Sequence, residues 1–250
     1  LTHNCQAIYG WRGALPDSMD RFQKKFSCEV FPLSVSFRCA KSIIREAQQE
    51  VPNIEAREAA PEGSVDEIHI KDFLPANLSP SDAILCRTNA PLTRVAYQML
   101  KEGLPCRLQG QDMGKGMKSL LKKISRRKDP GNHKEMNLLK SNGKISLLGT
   151  TQDKGESLKV ILEELPHSSN GASAIKMIDS IFKKSSQGPI LSSIHRAKGL
   201  EWDSVYWLEP ENTPLPFIAK SAQEGGVEAR NALQQEYNLR YVAKTRAKTS

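Results

Sequence analysis

The 250-residue chain has no run near the roughly 18 consecutive apolar residues of a membrane span, and no signal-peptide pattern opens it. It also has no CxxC pair. Its five cysteines (Cys5, Cys28, Cys39, Cys86 and Cys106) are odd in number and scattered, which argues against a disulfide framework or a zinc site and for a reducing, cytoplasmic setting. Each lies in or beside an apolar stretch, so all five are expected in the core. Internal repeats and extended low-complexity tracts are absent too. What is present, 38% hydrophobic and 26% charged residues, describes a soluble globular chain with one large or two small domains.

Net charge is +8 with a pI near 9.2, which permits a nucleic-acid partner without establishing one. The excess is local. Between Lys115 and Lys144 stand ten Lys or Arg against two acids, Asp129 and Glu135, a balance that equals the excess of the whole chain.

Hydrophobic periodicity predicts a helix over 18–26 capped by Asp17, a short strand from Cys28 to Leu33, and a helix over 39–50 with Ile43, Ile44 and Ala47 inward. Residues 51–63 read as a surface connection. Strands are expected at Ile68–Ile70, Ala83–Cys86 and Cys106–Leu108, with a helix over 90–102 between the last two. Such alternation argues for right-handed βαβ units on a parallel sheet. The basic stretch 113–187 reads as an insertion, helical near 116–127, 155–165 and 172–184. Two buried-type strands, Ile190–Ile194 and Ser204–Leu208, and a helix over 228–247 close the chain.

Four segments carry chemistry. In Gln6-Ala7-Ile8-Tyr9-Gly10-Trp11-Arg12-Gly13-Ala14, an amide, two aromatics and an arginine crowd a glycine-flanked loop; flat rings beside Arg suit stacking on unpaired bases, or pack onto the domain beneath. Arg38 stands just before a helix start, where free N–H groups help hold an anion. His195, Arg196 and Lys198 occupy the loop after a buried strand, Gly199 lets the backbone come close, and Glu201 offers acceptors to a ribose hydroxyl. In the closing helix, Leu239, Val242, Ala243 and Arg246 share one face, so Arg246 leaves the edge of a buried stripe with a guanidinium able to bridge phosphate oxygens.

Taken in order, these segments resemble the UvrD/Rep/PcrA group of superfamily 1 DNA helicases. Gln6–Ala14 (QAIYGWRGA) resembles motif III, Ser36-Phe37-Arg38 the motif IV arginine, and Ala83–Asn89 (AILCRTN) the DNA-contacting strand that begins the second motor domain. Ile194–Asp203 (IHRAKGLEWD) resembles motif V and Glu236–Ala247 motif VI. The resemblance implies an α/β, RecA-like P-loop NTPase fold. Residues 1–30 would close a first motor domain, 31–112 and 188–250 would form the second, and 113–187 a mainly helical insertion. It implies an ATP-dependent 3′-to-5′ helicase on single-stranded and duplex DNA, with ATP and Mg²⁺ as cofactors. By position, Gln6 would sense the γ-phosphate, Arg38 and Arg246 would act as arginine fingers, and Glu201 would contact the ribose. Tyr9, Trp11, Arg12, Arg87, Asn89, His195 and Lys198 would touch DNA.

The pattern is departed from in two places. Thr2-His3 stands where the family has Gly-Asp, and no G-x-x-x-x-G-K-[ST] loop is present: Gly116 follows Gly114-Lys115, and Gln109 occupies the first glycine position. With Leu at position 1, the expectation is a cut chain, inactive by itself, whose phosphate loop and Mg²⁺ carboxylates lie on an upstream motor domain in cis. The other readings are a non-catalytic DNA-binding or regulatory protein made from half a helicase, and the helicase part of a RecB/AddA-like helicase–nuclease.

Overall fold

A computed structural model describes residues 4–10, 18–29, 31, 33–125, 152–166, 169–183 and 187–250. In chain order its helices and strands are α1 (Ser18–Phe26), β1 (Val35–Ser36), α2 (Lys41–Ala47), β2 (Glu55–Ala56), β3 (Ala83–Cys86), α3 (Asn89–Lys101), β4 (Arg107–Leu108) and α4 (Gln111–Ser125). Then come α5 (Gln152–Glu164), α6 (Gly171–Ile181), β5 (Ile190–Ser193), α7 (Ile194–Ala197), β6 (Val205–Leu208), α8 (Pro216–Glu224) and α9 (Val227–Lys244). The chain divides into two compact units, one of Phe73–Ser193 and one of Leu1–Asp72 with Ile194–Ser250.

In the Phe73–Ser193 unit, β3 is an unbroken apolar run buried at every residue, the pattern of a strand covered on both faces. It pairs in parallel with β5, Ala83 opposite Ile190 and Cys86 opposite Ser193, and β4 pairs in parallel with the other edge of β5. Leu92, Val95, Ala96 and Met99 recur at helical spacing on α3 and are buried. That face packs on α5, which packs in turn on α4. The Asp153 carboxylate receives both the Asn89 backbone N–H (2.8 Å) and the Asn89 side-chain amide. It thereby fixes the first turn of α3 and occupies a donor that is orphaned at any helix start.

Gly188 shows how tightly β5 is entered. Its φ is +83°, and a Cβ there would lie 2.0 Å from the Pro105 carbonyl oxygen; its own carbonyl accepts from Arg107 Nε at 3.0 Å. Gly188→Ala should therefore cost about 1–3 kcal/mol, seen as a lower urea midpoint with an unchanged slope. An unmoved midpoint would show that this turn relaxes freely.

In the other unit, α2 buries Ile43, Ile44 and Ala47 against Cys39, Ala40, Val51, Ile54, Tyr241 and Ala247. The chain end is laid into this core: Trp202 N–H donates to the Arg246 carbonyl (3.0 Å), Lys248 N–H to that of Trp202 (2.9 Å), and Ala40 N–H to that of Lys248 (2.8 Å). Glu50, its side chain only 6% exposed, ties the turn after α2 to α9 by accepting from Arg240 (2.9 Å) and Lys244 (3.0 Å).

The structure departs from the sequence reading at several points. Among its described residues Cys28–Leu33 contains no strand position, and Phe31 and Leu33 stand exposed; pairing is found at β1, Val35 opposite Glu55 and Ser36 opposite Ala56. Ile68–Ile70 is likewise not a strand: both isoleucines are exposed, and no ladder forms there among the described residues. Cys28 is exposed and Cys5 and Cys106 half-buried, leaving only Cys39 and Cys86 in the core. The helix expected over 39–50 is shortened to Lys41–Ala47. The stretch 51–63, expected as surface, contains β2 and buries Val51, Ile54 and Ala60. Helix α8, started by a proline at its first turn, was not anticipated. Asp17, Thr2, His3, and the part of the basic run from 126 to 144 lie outside the described residues.

Candidate functional site

Arg246 follows the C-cap of α9 and is 3% exposed. Its Nε donates to the Val242 carbonyl (3.0 Å), one terminal nitrogen to the Leu200 carbonyl (3.0 Å), and the other to Thr245 Oγ1 (3.2 Å). Every one of these acceptors is neutral. Burial therefore pushes the guanidinium down to about 10, and the charge of Arg38 nearby adds to the shift. The sequence pattern placed this side chain at the edge of a buried stripe; the structure buries it, a cation with dipoles around it and no carboxylate of its own.

Arg38 leaves the end of β1. Its Nε donates to Glu201 at 2.6 Å and a terminal nitrogen to the Thr245 carbonyl at 3.2 Å. Glu201 also faces Lys248 at 3.4 Å, and the Arg38 hydrogen bond, reinforced by both cations, lowers its carboxyl below the usual range. The Arg38–Glu201 pair is 32% and 44% exposed, so it is worth no more than about 1 kcal/mol. The N–H groups expected to assist Arg38 are already used: those of Lys41 and Ser42 donate to the Pro61 and Glu62 carbonyls.

A third group of contacts fastens Gln6–Gly10. Lys198 Nζ donates to the Gln6 carbonyl (2.6 Å) and lies 5.3 Å from the centroid of the Tyr9 ring; burial, then the Arg246 charge, lowers its pKa. Tyr9 donates its hydroxyl to the His195 carbonyl at 2.7 Å. Asn238, buried on α9, donates to the Ala7 carbonyl (3.0 Å), and Gly10 N–H donates to Gln235 Oε1 (2.8 Å). Gly199, at φ +88° with open space around it, lets the 198–201 loop turn between the Lys198 and Leu200 contacts.

The arrangement therefore gathers two guanidinium groups, a lysine and a carboxylate around the end of one helix. Comparison with known families decides what it belongs to. The family model of the UvrD-like helicase C-terminal domain matches residues 119–250, more than half of the 250-residue chain. The chain belongs to this family. No curated protein matches it.

Within this UvrD-like helicase C-terminal domain, the matched span contains His195, Lys198, Glu201 and Arg246, whereas Gln6, Tyr9 and Arg38 precede it. All of these lie in one compact unit. Arg87 and Asn89 belong to the other, where the Asn89 amide is engaged by Asp153. Trp11 and Arg12 lie outside the described residues. Sequence reasoning missed Gln235 and Asn238. The available signal was an amide pair at i and i+3, continuing through Val242 to Arg246 at helical spacing. Helicase-family membership implies action on DNA and, in general, dependence on ATP. Among the described residues no three His, Cys, Asp or Glu side chains gather to hold a metal. No described helix is long and apolar enough to cross a membrane.

Proposed function

We propose that this UvrD-like domain is the arginine-finger and strand-gripping part of an ATP-driven 3′-to-5′ DNA translocase and helicase. The supporting observation is Arg246, a buried guanidinium held only by neutral oxygens and close enough to Arg38 to feel its charge. Two cations held close together repel one another, and a buried cation without a counter-ion is costly. A γ-phosphate between them would relieve both penalties. As the bond from the γ-phosphorus to the leaving oxygen breaks and water attacks, negative charge on the phosphoryl oxygens would be met by the remaining N–H groups of Arg246 and by Arg38 once it has turned from Glu201.

On this reading residues 1–30 close a first RecA-like motor domain, 31–112 and 188–250 form the second, and 113–187 is an insertion. The phosphate loop and Mg²⁺ carboxylates belong to the first motor domain. Arg38 would leave Glu201 for the phosphate, since charge-assisted hydrogen bonds to an anion exceed an exposed ion pair. Glu201, freed, would accept from the ribose. Gln6 would report the γ-phosphate, and Tyr9, Trp11, Arg12, His195 and Lys198, with Arg87 and Asn89, would hold the DNA strand.

The test is ATP hydrolysis by the motor that carries this chain, with and without single-stranded DNA, and unwinding of duplexes with a 3′ or a 5′ tail. Hydrolysis stimulated by DNA and unwinding from the 3′ tail are expected; DNA binding without hydrolysis would favour a regulatory protein. In the same motor, Trp11→Ala should weaken single-strand affinity by about 1–3 kcal/mol if the ring stacks on a base, read by fluorescence anisotropy. Unchanged affinity would mean that the ring packs on protein instead.

A further inference from the structure

We infer that Asn238 and Gln235 are positioning residues that couple the arginine-finger end of α9 to the Gln6–Gly10 segment, so that DNA held by that segment sets the rate of ATP hydrolysis. The inference rests on the motor reading above and adds to it a physical connection and the residues that make it.

Gln235, Asn238, Val242 and Arg246 are spaced by three, four and four residues, and so follow one stripe along α9 and its C-terminal cap. From Asn238 to Arg246 the rise is about 12 Å. At one end stands the buried guanidinium. At the other, two amides hold the backbone on both sides of Ile8 and Tyr9: Asn238 donates to the Ala7 carbonyl and Gln235 accepts from Gly10 N–H. Ile8 between them is 1% exposed, which fixes the segment against the core. The same segment receives Lys198 at the Gln6 carbonyl and sends the Tyr9 hydroxyl to His195. It thus meets the 194–201 loop as well, whose Leu200 carbonyl takes a bond from Arg246.

Neither amide is an incidental surface group. Asn238 is 3% exposed, and a buried amide costs stability unless its bonds are made. Its oxygen accepts from Gln234 at 3.2 Å while its nitrogen serves Ala7. Gln235 fits closely over Gly10: a Cβ at position 10 would lie 2.0 Å from its amide nitrogen. A rigid helix joined to a strand-gripping segment by hydrogen bonds to backbone moves with it. A shift of that segment on DNA would be carried to Arg246 without either amide touching nucleotide or DNA.

The experiment measures, in the intact motor, the ratio of ATP hydrolysis with saturating single-stranded DNA to that without it. Asn238→Leu, which keeps the branched heavy-atom skeleton and removes the donor, should lower the ratio about tenfold, within the usual range of coupling between sites. The Michaelis constant for ATP should stay close to wild type, and the melting temperature should fall by only a few degrees, for the Ala7 carbonyl left without this donor. Gln235→Met keeps chain length and helix propensity and should act in the same direction, serving also if Asn238→Leu fails to fold. Asn238→Gln, which restores a donor, should recover part of the ratio. Wild-type stimulation in folded Asn238→Leu and Gln235→Met overturns the coupling alone. A parent motor whose hydrolysis ignores DNA overturns the motor reading and the coupling with it.

Discussion

Arg246→Ala, in the motor that carries this chain, should lower ATP turnover by about a thousandfold or more, the range seen when an arginine finger is removed from a phosphoryl-transfer site. Single-strand affinity should change little, because no acceptor of Arg246 lies on the Gln6–Gly10 segment. The variant should also fold about as well as wild type. The guanidinium is pushed down to about 10 chiefly by burial, which places the cost of keeping it charged on the order of 3 kcal/mol. Its folded pKa lies below its unfolded one, so the unfolded chain holds that proton more readily. The cost is therefore full at neutral pH and fades only as pH rises from about 10 toward the ordinary arginine value. Removing the side chain removes this cost along with three hydrogen bonds to neutral groups, and the two largely offset. Turnover near wild type in Arg246→Ala would refute the finger assignment. A large fall in melting temperature would show instead that the side chain serves mainly to hold α9 against Leu200.

How far the sequence reveals this arrangement depends on whether a signal is local. The run Ala83–Cys86 and the spacing of Leu92, Val95, Ala96 and Met99 placed β3 and α3 within a residue or two, because burial on both faces of a strand and on one face of a helix is written in consecutive residues. The stripe through Leu239, Val242 and Arg246 predicts a helix running to 247, but α9 ends at Lys244 and Arg246 lies just past its cap. Cys28–Leu33 and Ile68–Ile70 misled because β-propensity does not say whether a ladder partner is available. Their apolar side chains remain exposed, as they do on α1, where Met19, Phe22 and Phe26 form an uncovered stripe. The site divides similarly. Residue types and order pointed to Arg38, Glu201 and Arg246, but not to their pairing. That Glu201 pairs with Arg38 depends on packing between segments more than 160 residues apart in sequence, and that Arg246 ends among neutral acceptors depends in part on the Leu200 carbonyl, 46 residues away.

The largest effect on stability is expected at Glu50, a residue with no part in the proposed chemistry. Its carboxylate is 6% exposed and accepts from Arg240 at 2.9 Å and from Lys244 at 3.0 Å, a side chain itself only 12% exposed. Glu50→Ala takes the shared carboxylate from both cations; Lys244 keeps the Glu46 carbonyl and Gln49 and Arg240 is 29% exposed, so the cost is expected toward the lower end of the about 3–5 kcal/mol for removing one partner of a buried ionic group. Urea unfolding should show that loss as a lower midpoint. Glu46 makes the internal comparison: it meets the same Lys244 Nζ at 3.8 Å but is 42% exposed, so Glu46→Ala should cost at most about 1 kcal/mol. Equal effects of the two substitutions would mean that the buried carboxylate is not what joins the turn after α2 to α9. The difference also bears on function, because Lys244 is the last residue of α9 and Arg246 follows two residues later. Glu50 anchors that end of the helix to the turn after α2, and the Arg38 bond to the Thr245 carbonyl adds the next tether. Loosening the first should blur the separation between the two guanidinium groups before it unfolds the domain. Glu50→Ala is therefore expected to lower turnover at temperatures where circular dichroism still reports a folded chain.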